Sequence, residues 1–424
     1  MNSDLKHMKC GLLGEHLGHS FSPQIHRELA NYSYELCELR PEELGAFVQS
    51  GTLDAFNVTI PYKKDVMPFL DEIAPEALAI GAVNTVVNRD GKLYGYNTDY
   101  FGFDYMVTAS SVDVSGKKAL VFGAGGASAT VCAVLRDRGV SELVVVGIED
   151  NHPEFLAKHT DAAIIANATP VGMYPNTGKS PVDLSLFPHC VGVFDVIYNP
   201  TRTALVLDAE ARGITAVNGL PMLVAQAVKA YEFFTGKTAE KGCIEQITAK
   251  ISRDTRNLIL IGMPGCGKST VGKRLAEKTG RSFFDADTEF ELMHGMTPAH
   301  AIETLGEDTF RQMEHQTLCE LGKKSASVIA CGGGVITRDY NYAPLHQNGV
   351  ILFLDRDLDK LATEGRPLSQ RNSLEELYRR RINGYRRFAD LTVRSTEIPE
   401  QTVLAMEQAL NTYDYTCVWK RSKS

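Results

Sequence analysis

The ten residues Ile261 to Thr270, IGMPGCGKST, combine glycine, lysine and hydroxyl in a pattern with one strong chemical use. In such a loop the backbone N–H groups point inward at a polyphosphate, and the helix that follows adds positive potential. Gly262, Gly265 and Gly267 would form that cradle, Lys268 would reach the outer phosphates, and Ser269 and Thr270 would bring hydroxyls, the first as a ligand of Mg²⁺. The loop fixes a nucleotide and leaves the acceptor open. Downstream, FFDADTEFE sets Asp285 and Asp287 two apart at the end of a predicted strand, so that both side chains face one side. One carboxylate can organise the metal and its waters while the other takes a proton from an attacking hydroxyl. Taken alone, the pair also fits a solvated acidic loop. GEDTFRQME adds Arg311, and the triple glycine Gly332 to Gly334 follows the apolar run VIAC. Three glycines in a row suggest close approach of backbone to ligand, with a sharp turn as the competing reading.

A second constellation lies some 140 residues earlier. GAGGAS, Gly123 to Ser128, sits between the strand-like KKALVF and the helical ATVCAVLRDRG, the setting of a dinucleotide site, although Ser128 stands where a third glycine is usual. GHSFSP supplies the hydroxyls of Ser20 and Ser22, suited to a carboxylate or, equally, to capping a helix at Pro23. NVTIPYK carries Asn57, Thr59 and Lys63, GAVNT carries Asn84, and YNTDYFG carries Asp99. A lysine and an aspartate within reach of one hydroxyl-bearing carbon make a proton-transfer pair beside a hydride acceptor. A surface salt bridge is the alternative when the two are read singly.

Positioning these residues takes more than one core. A chain of 424 residues exceeds what one hydrophobic core organises. The pattern predicts an α/β protein: a substrate domain over residues 1–100, completed by 219–250; a Rossmann-type nucleotide domain over 101–218; and a phosphate-loop α/β domain with a parallel sheet over 257–424. The joint between the halves falls near Ser252 to Asn257. Hydrophobic residues at 44% and charged ones at 23% fit a soluble globular chain, and no apolar run is long enough to span a bilayer. The first residues lack the basic start and apolar core of a secretory signal, and nine scattered cysteines without a CxxC pair predict reduced thiols, so a cytoplasmic setting is expected. A net charge of −8 argues against nucleic acid and leaves small molecules as the expected partners.

In order, the phosphate loop, DAD, FRQME, GGG, RPL at Arg366 to Leu368 and RINGY at Arg381 to Tyr385 resemble shikimate kinase across the C-terminal half. The resemblance implies ATP and Mg²⁺, with Asp287, Arg311, Arg381 and the three glycines around shikimate, Asp287 acting on the attacking hydroxyl. Asp285 and Ser269 would sit by the metal, and Arg366 would reach the transferring phosphate. HSFSP, NVTIPYK, GAVNT, NTD, GAGGA, NATPVGM and GLPMLVAQA resemble shikimate dehydrogenase over residues 11–234. That implies Ser20, Ser22, Asn57, Thr59, Asn84, Asp99, Tyr198 and Gln226 around the substrate, with Lys63 and Asp99 as the catalytic pair. NADP or NAD would lie against Gly123, Gly125, Gly126, Ala127, Asn167, Thr169 and Gly219. Joined, the two resemblances imply reduction of 3-dehydroshikimate to shikimate followed by its phosphorylation.

Two features depart from the dehydrogenase pattern. Members that use NADPH usually carry Asn-Arg-Thr after the second nucleotide-domain strand, whereas here VVVGIED offers Gly147, Ile148 and Glu149. An acid about 24 to 26 residues past the first glycines is where NAD-binding folds place a ribose-binding carboxylate, which makes Glu149 a cofactor residue and favours NADH. Only about a dozen residues then separate Asp150 from AAIIANAT, too few for a full helical crossover, so a shortened nucleotide domain is expected. A front half that binds without turning over, or that oxidises quinate, remains open at this point.

Overall fold

Three β-sheets divide the chain, and the computed structural model describes residues 5–18, 20–361 and 369–419. The first sheet holds β1 (Lys9–Gly14), β2 (Ser33–Glu38), β3 (Ala55–Val58), β4 (Glu72–Ile73), β5 (Thr85–Arg89) and β6 (Lys92–Tyr96), in the order β2-β1-β3-β5-β6-β4. β1 runs parallel to β2 and β3, while β5 pairs antiparallel with both β3 and β6. The β5–β6 turn is Asp90-Gly91, with φ of 54° and 85°. Those two positive angles match the right-handed twist of a two-residue hairpin, which is why NRDGKL folds back there.

The second sheet has the order β8-β7-β9-β10-β11-β17. It is built from β7 (Lys118–Phe122), β8 (Glu142–Val146), β9 (Ile164–Asn167), β10 (Gly192–Asp195) and β11 (Thr215–Val217), all parallel, and its far edge is β17 (Val418–Trp419) from the opposite end of the chain. Both faces of β7 are covered, by the Val121/Val131/Phe194 cluster on one side and the Leu120/Phe122/Ile165 cluster on the other. Between β8 and β9 stand only the short helix Pro153–Leu156 and one 3₁₀ turn, as the residue count requires.

The third sheet is wholly parallel, in the order β13-β14-β12-β15-β16, from β12 (Asn257–Ile261), β13 (Ser282–Asp285), β14 (Ser327–Ala330), β15 (Gly349–Asp355) and β16 (Leu391–Arg394). Every residue of β12 is buried, its apolar run LILI following Asn257, as expected at the centre of a sheet covered on both faces. The helix Cys243–Thr255 leads straight into β12. All nine cysteines are free. Among the described residues no helix is long and apolar enough to cross a membrane.

Candidate active sites

In the front half, β3 presents Asn57, and the turn after it carries Thr59 and then Lys63. Lys63 Nζ lies 2.6 Å from Asp99 Oδ2; the lysine side chain is 27% exposed and the aspartate 8%. Asp99 opens the helix Asp99–Ser110, and its backbone N–H donates to Asn97 Oδ1 at 2.9 Å. Asn84 Oδ1 accepts from the Thr98 N–H at 2.8 Å and from the Thr85 hydroxyl at 3.0 Å, which ties GAVNT to YNTD. Asn57 donates to Thr85 Oγ1 at 3.1 Å and accepts from the Tyr34 hydroxyl at 2.8 Å. Tyr34 stacks on the buried His26 at 3.9 Å, so the aromatic pair behind Asn57 fixes its rotamer. Ser20 Oγ accepts from the Ser22 N–H at 3.2 Å and donates to Ser22 Oγ at 3.1 Å. Between them Phe21 meets Tyr198, ring to ring, at 5.3 Å. A Cβ at Gly102 would come 2.6 Å from Gln226 Cγ, so the helix Leu220–Thr235 crosses closely enough to set Gln226 one turn from Asp99. Lys63 and Asp99 thus meet directly, Asn57 and Asn84 are tied through Thr85, Ser20 bonds to Ser22, Tyr198 packs on Phe21 beside that pair, and Gln226 reaches Gly102 from the middle of its helix.

The nucleotide loop leaves β7 at Gly123, whose φ is 111° and whose Cβ would lie 2.9 Å from Ala168 O. Only glycine fits that turn. Gly125 and Gly126 are exposed, with open space where a Cβ would stand, and with Ala127 they begin the helix Gly126–Asp137. That bare, N–H-rich helix start suits a pyrophosphate. Asn167 is fully buried and spends its amide internally, accepting from Thr169 Oγ1 at 2.7 Å and donating to Asp195 Oδ1 at 3.0 Å. It shapes the loop that carries Thr169. Gly219 packs its bare face on the backbone, 2.0 Å from Val196 O to an added Cβ. After β8, Asp150 Oδ2 accepts from the Gly147 N–H at 3.2 Å, closing a turn on which Ile148 and Glu149 are exposed.

In the back half Gly262, Gly265 and Gly267 have φ of 149°, 79° and 94°, the left-handed geometry that turns successive N–H groups toward one centre. Lys268 Nζ donates to Gly262 O and Met263 O at 3.0 Å. Ser269 Oγ donates to Asp285 Oδ2 at 2.6 Å, and the Asp287 N–H donates to Asp285 Oδ1 at 3.1 Å. The sequence placed both aspartates along one strand face. In the structure Asp285 ends β13 and caps the helix Ala286–His294, and Asp287 lies in that helix's first turn, so capping brings them together. Burial first, and the Asp285 charge second, push the Asp287 carboxyl above its usual range, against Lys268 and Arg311.

Arg311 is 6% exposed and pairs with Glu314 at 2.8 Å and Glu307 at 3.3 Å. Arg381 Nη1 and the Tyr385 hydroxyl both donate to Gly333 O, at 3.0 and 2.5 Å. The neighbouring Arg379 and Arg380 are exposed and pair with Glu375 and Glu376. An added Cβ would meet Asp287 Oδ1 at 3.1 Å from Gly332, Pro264 Cδ at 2.8 Å from Gly333 and Arg311 Nη2 at 2.4 Å from Gly334. The triple glycine therefore makes room for the site's own side chains. Glu314 was missed by the sequence reading, although FRQME placed it one turn from Arg311 on the same helix face. Arg366 lies outside the described residues.

Three family models match: "Shikimate dehydrogenase substrate binding domain" over residues 12–86, "Shikimate 5'-dehydrogenase C-terminal domain" over 219–247, and "Shikimate kinase" over 264–411. A shikimate dehydrogenase (NADP(+)) of Clostridium perfringens is 39% identical over 261 residues, covering 56% of this chain and 96% of that one. The chain belongs to the shikimate dehydrogenase family. It also carries a shikimate kinase domain. Among solved structures, shikimate dehydrogenase 1 from Peptoclostridium difficile is 36% identical with a TM-score of 0.52, covering 57% of this chain and 97% of its own. A chorismate mutase/shikimate 5-dehydrogenase fusion from Clostridium acetobutylicum is 35% identical with a TM-score of 0.54, covering 57% and 96%.

Proposed function

We propose that the chain is a bifunctional enzyme that reduces 3-dehydroshikimate to shikimate and then transfers the terminal phosphoryl group of ATP to shikimate. The carrying observation for the first activity is the 2.6 Å contact between Lys63 and Asp99, a proton-transfer pair that a binding module does not need. A reduced nicotinamide nucleotide would supply the hydride, held at Gly123, Gly125 and the start of the helix Gly126–Asp137. Lys63 gives its proton to the carbonyl oxygen as that carbon becomes tetrahedral. Asp99 keeps the lysine ammonium in place and accepts a hydrogen bond from a substrate hydroxyl. Ser20 and Ser22 take the substrate carboxylate, while Asn57, Thr59, Asn84, Tyr198 and Gln226 orient the ring.

In the kinase, Asp287 accepts the proton of the attacking hydroxyl, the new O–P bond forms at the terminal phosphorus, and the bond to the ADP oxygen breaks. Lys268 and the loop N–H groups take up the charge on the phosphates. Ser269 and Asp285, already 2.6 Å apart, are an oxygen pair suited to Mg²⁺ that arrives with the nucleotide. Arg311 and Arg381 take the shikimate carboxylate, as guanidinium forks do.

The test follows loss of reduced-nicotinamide absorbance with 3-dehydroshikimate, using NADH and NADPH separately, beside ATP-dependent phosphorylation of shikimate. Turnover in both assays, with reduction abolished in Lys63→Met, supports the reading. Phosphorylation without reduction by either nucleotide would make the front half a binding module.

A further inference from the structure

The loop between β10 and the helix Ala204–Ala211 joins the dehydrogenase site to the kinase domain. Its dehydrogenase end is anchored by Asp195, which accepts from the Ile197 N–H at 3.1 Å and the Thr203 hydroxyl at 2.6 Å. In the middle stands Tyr198, packed on Phe21 between the two serines. Three residues further on, the loop enters the kinase domain: the Thr201 N–H donates to Asn348 Oδ1 at 2.9 Å and the Arg202 N–H to Gln347 O at 2.8 Å.

The Arg202 side chain is 2% exposed. Its guanidinium donates to Tyr413 Oη at 2.6 Å, His346 O at 3.2 Å and Gly349 O at 3.4 Å, and it pairs with Glu210 at 3.1 Å. It also lies 4.9 Å over the Trp419 ring. All of these partners but Glu210 follow the kinase phosphate loop in sequence. Beyond Tyr413 the chain runs back to the dehydrogenase and adds β17 to β11, with Trp419 opposite Ala216 and Val418 opposite Val217. Cys417 and Trp419 join the apolar cluster that contains Phe21, Tyr198 and Leu220. Tyr198 therefore stands four residues before Arg202, which kinase-domain residues hold, and shares an apolar cluster with Cys417 and Trp419.

We propose that Arg202 and the Tyr413–Trp419 segment act as a clasp that positions Tyr198, so that shikimate recognition in the dehydrogenase depends on the kinase domain of the same chain. The proposal rests on the reading of Tyr198 as a substrate residue. A buried, multiply bonded guanidinium suits this work because its planar fork holds several acceptors in one fixed geometry.

The experiment uses the full chain with Arg202→Met, Tyr413→Phe and Trp419→Ala, each alone and combined with Tyr198→Phe. Dehydrogenase KM and kcat are measured for shikimate and the nicotinamide nucleotide, with kinase kinetics as the internal control. The clasp predicts a KM for shikimate raised about fivefold in at least Arg202→Met or Tyr413→Phe, with nucleotide KM and kinase kinetics unchanged, and predicts that this increase largely disappears in the Tyr198→Phe background. Should Arg202→Met not fold, Tyr413→Phe and Trp419→Ala carry the same cycle. Additive effects, or nucleotide and shikimate KM rising together, would reduce the clasp to a stability element and overturn the proposal. If Tyr198→Phe alone leaves the shikimate KM unchanged, the reading of Tyr198 fails and the clasp with it. If Tyr198→Phe raises that KM while every clasp variant leaves it alone, only the clasp fails.

Discussion

Gly334→Ala isolates the role of Arg311 without touching it. Gly334 has φ −99° and ψ 0°, a backbone alanine accepts. The added methyl would lie 2.4 Å from Arg311 Nη2 and 2.5 Å from Nη1, so the guanidinium must move aside. The three nearest atoms all belong to the end of the Arg311 side chain, so the displacement falls on the fork proposed to take shikimate's carboxylate. Hydrogen bonds to charged groups contribute about 1.5 to 3 kcal/mol each. Loss of one such bond raises the KM for shikimate by about 10- to 150-fold, at 1.4 kcal/mol per factor of ten. Steady-state phosphorylation assays, varying shikimate at saturating ATP and ATP at saturating shikimate, read the two constants separately. The KM for ATP stays unchanged, because the phosphate loop is untouched. An unchanged shikimate KM, or an equal rise for both substrates, would refute the assignment of Arg311 as the carboxylate fork.

Two further predictions concern charge. In the proposed mechanism Asp287 serves as a base only when ionised, and burial together with Asp285 holds its carboxyl above the usual range, so kinase kcat/KM for shikimate is expected to climb with pH through a midpoint above that of an ordinary aspartate. A midpoint at the ordinary aspartate value would separate Asp287 from the proton transfer. At the other site, the Gly147–Asp150 turn sets exposed Glu149 and Asp150 at the end of β8, where the ribose of a dinucleotide lies in this fold class. A 2′-phosphate there meets like charge. NADH is therefore expected to exceed NADPH in kcat/KM, contrary to the NADP(+) in the relative's name, and Glu149→Arg shifts the ratio about tenfold or more toward NADPH. Equal use of both nucleotides by the unaltered chain would remove the turn from specificity.

Local pattern carried much of the architecture. The central strands β7, β12 and β15 carry the apolar runs ALVF, LILI and VILFL, the Asp90-Gly91 hairpin is written in its dipeptide, and the shortened crossover between β8 and β9 follows from counting residues. The phosphate loop was legible because its chemistry depends on backbone conformation, which glycine spacing encodes. Pairing of Lys63 with Asp99 was different: the residues are 36 apart, and no local rule brings them together. Their meeting was legible only through family resemblance. The Asp285–Asp287 geometry was misread because a strand pleat and a helix cap both juxtapose residues two apart, and the strand's end could not be located to one residue. The clasp left no readable signal. Arg202 in NPTRT resembles any charged loop residue, and β17 is two residues long, with a partner some 200 positions upstream.

The clasp also touches the two domains at unequal places. Loop 196–203 leaves the C-terminal end of β10, the end of a parallel sheet where ligands bind. Its kinase partners are His346, Gln347, Asn348 and Gly349, at the N-terminal end of β15, where Asn348 O also accepts from the Asn257 N–H at the start of β12. The kinase phosphate loop and Gly332–Gly334 follow the C-terminal ends of β12 and β14. A five-residue strand at about 3.3 Å per residue puts some 16 Å of packed sheet between the contact and the phosphates. The same contact therefore borders the reactive edge of the dehydrogenase and the inert edge of the kinase. A displaced clasp residue can move Tyr198 directly but reaches Lys268 or Asp287 only through the buried body of β12. Dependence between the two activities should accordingly run one way, with the kinase domain supporting the dehydrogenase and phosphorylation indifferent to the state of the clasp.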